Sequence, residues 1–354
     1  PLARAAWFGL GAEESRLLLV VHHLVIDAVS WRTLLEDLTT VWRQLQDDEQ
    51  PALPSKSTSF KQWSERLTDY ARSPELEDEL VFWRSLAEKQ PAALPCDARG
   101  KNLQGDAEVV SSTWSAAKTG QLLNEAGAAY RMHTNEILLA ALGQALGEWA
   151  GGQVLIDVEG HGRVPLFDDV DLSRTIGWFT AWFPHLSAAS DLPPSALLRQ
   201  TKEAFRGVPN QGLGFGVLRY LSPGPDIRAR MAGLPAAQAS FNYLGRMDEY
   251  LSSPSLTVVD EPVGPARSPR ARRSHLIEIN AAVFDGCLRV DWTFCRNLHH
   301  RETIERLAAD FRDRLTALIA HCLSPDAGAF TPSDFPLARL NDSELDKLAN
   351  LLGD

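Results

Sequence analysis

The sequence predicts an α/β protein in two lobes, and three observations carry that reading. Its 354 residues exceed the usual size of one domain. Short apolar runs, RLLLVV (Arg16 to Val21) and QVLIDV (Gln153 to Val158), read as buried strands. They alternate with longer segments whose apolar residues recur at helical spacing. The stretch KQPAALPCDARGKNLQGD (Lys89 to Asp106), rich in Pro, Gly and charge, marks the lobe boundary.

Taken in order, RLLLVV runs into HHLVIDAVSW. Trp31, Leu34, Leu35, Leu38, Val41, Trp42 and Leu45 then form an amphipathic helix, with Asp27 or Ser30 available as its cap. Helices are expected around Phe60 to Tyr70 and after Ser73-Pro74, where a cap is followed by proline at the first helical position. Beyond the boundary the pattern gives a strand near Glu108 to Trp114 and an apolar helix from Thr134 to Trp149, ended by Gly151-Gly152. QVLIDV then delivers EGHGR at its C-terminal end. HLIEINAAVF and CLRVDWTF flank Asp285-Gly286, a strong hairpin signal. A long helix covers Arg301 to Leu323, with His299-His300 opening it. The tail FTPSDFPLARLNDSELDKLANLL leaves through Pro-containing coil and resumes a short helical pattern.

Composition narrows the function. Hydrophobic residues make up 44% and charged residues 23%, the proportions of an ordinary globular protein. The net charge of −11 argues against a sequence-independent grip on nucleic acid. No apolar run is long enough to span a bilayer, so no membrane partner is expected. PLARAAWFGL lacks the layout of a signal peptide, and four scattered cysteines suggest neither a disulfide framework nor a zinc knuckle, so free thiols and a cytoplasmic location are expected. Arg267, Arg270, Arg272 and Arg273 form one basic cluster, read as a solvated loop.

Two adjacent histidines with an aspartate four positions on are uncommon by chance. His22 reads as a hydrogen-bonded core residue. His23, on a loop braced by strand and helix, reads as a proton-transfer group. HHLVID has no helical H-x-x-x-H pair and no nearby ligand set, so no metal is expected. Asp27 suits a helix cap paired with an arginine, for which Arg163 is the natural partner. GLGFG (Gly212 to Gly216) lacks phosphate-loop spacing and reads as a tight turn with no helix after it.

These segments resemble the condensation-domain superfamily of nonribosomal peptide synthetases, and within it the epimerization branch. HHLVIDAVSW is similar to its H-H-x-x-x-D signature. VEGHGR (Val158 to Arg163), SRTIGWFTAWFPHL (Ser173 to Leu186), PNQGLGFGVLRY (Pro209 to Tyr220) and FNYLGR (Phe241 to Arg246) resemble epimerization motifs in the family's order. The sequence departs from that pattern at Val164, where an acidic residue is usual, and at Ala28, usually Gly. The resemblance implies two chloramphenicol-acetyltransferase-like lobes with mixed sheets flanked by helices, V-shaped, with the active site in the tunnel between them. It also implies a further segment ahead of Pro1. Residues 1–100 are therefore expected to be the remainder of an incomplete N-terminal lobe with exposed apolar surface, 101–330 the C-terminal lobe, and 331–354 a tail or linker.

The activity implied is L-to-D epimerization of an aminoacyl or peptidyl thioester. The domain would need no cofactor of its own, because its substrate arrives on the phosphopantetheine of a carrier domain. The partners implied are the carrier domain of the same module and the adjacent adenylation and downstream condensation domains. Inverting an α-carbon needs a titratable group on each face. His23 and Glu159, each expected just past the end of a strand and facing one another across the cleft, are the catalytic pair. His22, Asp27, Ser30 and Arg163 support them, with Asn242 and Tyr243 as donors to the enolate. Two alternatives stand beside this: a condensation domain, which needs only the histidine side, and a catalytically silent module that recruits a tailoring enzyme.

Overall fold

The structure, a computed structural model, describes all residues except 12–13, 248–256, 258, 260, 339, 342–343 and 346–354. Strands β1 (Ala3–Gly9) and β2 (Ser15–Val21) form an antiparallel two-stranded sheet, followed by helix α1 (Ala28–Gln46). Helices α2 (Phe60–Tyr70) and α3 (Pro74–Glu88) come next. A six-stranded mixed sheet follows, built from β3 (Ala107–Thr113), β4 (Leu155–Gly160), β5 (Ala181–Leu186), β6 (Ala239–Arg246), β7 (Ile277–Phe284) and β8 (Cys287–Cys295). Its order is β3-β8-β7-β6-β4-β5, with β4, β6 and β7 parallel and the other pairs antiparallel. Helices α4 (Ala116–Gln121), α5 (Thr134–Ala150), α6 (Pro194–Arg206), α7 (Leu213–Gly216), α8 (Pro225–Ala232) and α9 (Arg301–Cys322) complete the mixed α/β architecture. Among the described residues no helix is long and apolar enough to cross a membrane.

Strand alternation divides the large sheet into two unlike faces. Val158, Phe241, Ile279, Val290 and Trp292 point into the apolar core, where they meet Ile137 and Leu138 of α5 and Ile304, Phe311 and Leu315 of α9. On the other face the register lines up Ser111, Asp291, Asn280 and Asn242 in one row across β3, β8, β7 and β6. Val158 pairs with Phe241, so the next residue along β4, Glu159, extends the row beside Asn242. Trp83 and Leu76 of α3 join the same core as the sheet, and Trp63 of α2 packs with Val164, Phe179 and Leu213. Residues of α2 and α3 thus pack with the body that follows residue 100.

Local chemistry explains most boundaries. Asp27 caps α1, Ser59 caps α2 and Pro74 opens α3. Gly151, at φ 74°, ends α5 in the left-handed conformation that glycine adopts without cost. Asp285 and Gly286, both at positive φ, make the two-residue turn between β7 and β8. His300 caps α9.

Four expectations need correction. Strand β2 is not buried: Leu17 and Val20 are exposed, because a two-stranded sheet leaves one face uncovered. Trp7, stacked on Trp42 of α1, is exposed as well. GLGFG is not a bare turn, since it forms α7 and continues as a π-type turn over Val217–Leu221. A Cβ at Gly214 would stand 1.8 Å from Glu79 Oε2, so this glycine is there for close approach. Of the basic cluster, Arg273 is buried rather than solvated, with its guanidinium donating to the Thr293 carbonyl and lying 3.4 Å from Glu278. The tail does not leave the fold at residue 331 either. Asp334 accepts from the buried Lys202 ammonium at 2.7 Å and fixes that segment on α6. Most of the final helical pattern lies outside the described residues.

His185 on β5 makes the fold sensitive to acid. It is buried against Phe205 with Nε2 unpartnered, and burial pushes its imidazole from 6.5 down to about 4. The unfolded chain binds a proton below pH 6.5 that the folded chain refuses. Stability is therefore complete above pH 6.5 and falls between there and about pH 4, by roughly 3 kcal/mol at most. Urea unfolding at pH 7.5 and 4.5 should show a smaller loss in His185→Leu than in the parent; equal losses would remove His185 as the cause.

Candidate active site

The site is assembled where the end of β2 meets the end of β4. After β2 the chain turns through a short 3-10 segment, His23–Val25. His22 is not the core residue its position suggested: it is exposed, and its Nδ1 accepts the Leu24 N–H at 3.1 Å, which caps the turn. This cap projects His23, whose exposed ring lies 5.5 Å from that of Trp178.

Asp27 and Ser30 hold the turn to the rest of the molecule. Asp27 Oδ1 accepts the Ser30 N–H at 2.7 Å, while its Oδ2 accepts the Phe179 N–H at 3.1 Å. Ser30 Oγ donates to the Gly177 carbonyl at 2.9 Å. Arg163 binds both residues, reaching Asp27 Oδ1 at 3.3 Å and Ser30 Oγ at 2.9 Å. Its second amino group donates to the carbonyls of Leu172 and Thr175, and the guanidinium lies 4.0 Å above the Phe179 ring. The side chains of Asp27 and Arg163 are only 4% and 10% exposed. The expected pair is present, and it joins three stretches of chain rather than two.

Glu159 occupies the penultimate position of β4, not a place beyond its end, and is half-buried. Burial raises its carboxyl above the ordinary range, and the charge of Asp27 adds to that. The charges of His23 and Arg267 and a hydrogen bond from Trp182 act in the opposite direction. His23 and Glu159 therefore lie within electrostatic reach of each other, with Asp27 behind. A titratable imidazole near a carboxyl held partly protonated is an arrangement suited to moving protons. Among the described residues no three His, Cys, Asp or Glu side chains converge as a metal site.

Asn242 lies beside Glu159 on the polar face, as the register of β4 and β6 requires. The structure does not bring Tyr243 to that row, because Tyr243 pairs with Ala281 and its ring packs on the apolar core. Sequence reasoning missed Trp178, Trp182 and the carbonyls that bind Arg163. Only the alternation within GWFTAWFP hinted at the tryptophans, whose indoles are both exposed.

The model of the condensation domain family matches residues 1–340. The chain belongs to that family. This condensation-family domain is 42% identical over 352 residues to a linear gramicidin synthase of Brevibacillus parabrevis, a match that covers 98% of the domain and 7% of the synthase. The crystal structure of the epimerization domain from the third module of tyrocidine synthetase B superposes with a TM-score of 0.84 at 34% identity, over 91% of this chain and 73% of that one. The X-domain from teicoplanin biosynthesis shares the fold at a TM-score of 0.66 and 21% identity, over 93% of this chain and 73% of that one.

Proposed function

We propose that this domain inverts the α-carbon of an aminoacyl or peptidyl thioester carried on the phosphopantetheine of a carrier domain. The observation that carries the reading is Glu159: a half-buried carboxyl with a raised pKa, electrostatically coupled to His23. A condensation reaction has no use for a second acid or base at that position. The likeness to an epimerization domain supports the same choice.

In this reading one of the two residues takes the α-proton from one face, and the other returns a proton to the opposite face. The thioester assists, because sulfur donates less density to the carbonyl than nitrogen does. Negative charge gathers on the enolate oxygen, where a preorganised donor such as the Asn242 amide is worth most. Asp27, Ser30 and Arg163 do not touch the proton. They fix the His23 turn to the segment beyond Glu159, so the two groups keep their separation. The carrier domain of the same module presents the substrate, with adenylation and downstream condensation domains as neighbours. L and D forms are close in energy, so the product is a mixture approached from either side.

The experiment is incubation of the domain with an L-loaded carrier in deuterated water. Deuterium at the α-carbon and growth of the D form are expected. An amide product with no α-deuterium would mean condensation, and an unchanged thioester would mean a docking role.

A further inference from the structure

The polar face holds a chain of contacts that proton transfer between two residues does not require. Directly across from Glu159, on β5, stands Trp182. Facing cross-strand partners share one side of a sheet, so the indole and the carboxyl are neighbours. On its other side the indole lies 5.2 Å from the His275 ring at an angle of 37°. His275 is 4% exposed and is held at both nitrogens: Nε2 lies 2.8 Å from Asp157 Oδ2, and Nδ1 lies 3.0 Å from Ser274 Oγ. Asp157 precedes Glu159 by two positions on β4 and so shares its face. A buried, doubly anchored imidazole thus braces a tryptophan that is itself 38% exposed. Its exposure means that the ring is not there to fill the core.

We propose that Trp182 is the positioning residue for Glu159: braced by His275, its indole sets the direction of the carboxylate and walls one side of it from water. This rests on the proton-transfer reading of Glu159. The indole N–H is a donor and nothing else, so it favours the ionised carboxylate. It hydrogen-bonds to Glu159 and opposes the effect of burial. The other charged groups that act on Glu159 are His23 and Asp27 from the turn before α1, and Arg267 from the exposed stretch ahead of β7. None of them changes when Trp182 is replaced, so a shift in Glu159 isolates the indole.

Trp182→Phe keeps a ring against His275 and removes the N–H, whereas Trp182→Gln keeps a donor without the ring. The Glu159 carboxyl, labelled with carbon-13 and assigned by its loss in Glu159→Gln, is titrated in each protein by NMR. In parallel, α-deuteration of the loaded carrier is followed against pH. In Trp182→Phe, Glu159 should bind its proton about tenfold more tightly. The acid limb of the exchange profile should move up with it, and kcat should fall while KM for the carrier holds. Trp182→Gln should recover part of the shift. A Glu159 titration unchanged in both variants overturns the proposal, even if their melting temperatures fall. If the titration moves as expected but no protein exchanges deuterium, the positioning role stands and the epimerization reading falls.

Discussion

Replacing Glu159 by glutamine is expected to abolish net inversion while sparing α-proton exchange from the face that His23 serves. Glutamine keeps the size of the side chain and its place in β4, so the change removes a titratable group and little else. General acid–base help is typically worth about 10²–10⁴ in rate, and net inversion should fall by that factor. His23→Ala should cause a similar loss, with exchange surviving in the opposite enantiomer. Chiral analysis of deuterium content, after each variant acts on L-loaded and D-loaded carrier, reads both effects. The dependence on pH follows from the raised carboxyl. Glu159 serves as a base only when ionised, so its step grows as pH rises through the raised pKa and is lost below it. That acid limb should be missing in Glu159→Gln. Inversion at the parent rate by Glu159→Gln would end the two-residue mechanism and restore the condensation and docking readings.

The second large effect is structural. Asp27→Ala should destabilise the domain by about 3–5 kcal/mol, because it strands a buried guanidinium and removes the α1 cap in one step. The carboxylate it deletes accepts from Ser30 N–H, Phe179 N–H and Arg163. Arg163→Met should cost less than stranding the charge does, since it withdraws the cation together with its desolvation. Asp27→Ala and Arg163→Met combined should then lose less than the sum of the two single changes, because they act on one network. Urea unfolding of all four proteins measures this coupling. Additive losses, or a change under about 1 kcal/mol for Asp27→Ala, would show that Asp27 and Arg163 are bystanders. A stable but inactive Asp27→Ala domain would instead place Asp27 in the chemistry.

The geometry also orders the contributions at the site. Surface ion pairs such as Arg66 with Asp169 are solvated and worth little. Asp27 with Arg163 is worth more to the site, because its three-way attachment keeps the exposed His23 turn at a fixed distance from β4. Position, more than the strength of any single contact, is what a proton relay needs.

The sequence alone determined the class, the family resemblance and the identity of the charged pair. Those signals are local in the chain: strand runs of period two, helical spacing from Trp31 onward, Asp285-Gly286 between two strands, and motif residues a few positions apart. Asp27 and Arg163 were legible because a capping carboxylate in one motif and an arginine in another have few other uses. The burial of β2 was misjudged, because an apolar run reports what a strand can bury, whereas the number of strands beside it decides what is buried. The row from Ser111 to Glu159 and the brace from Asp157 through His275 to Trp182 belong to the tertiary structure alone. Each depends on the register between strands far apart in sequence, and a shift of one residue would turn every one of those side chains to the other face.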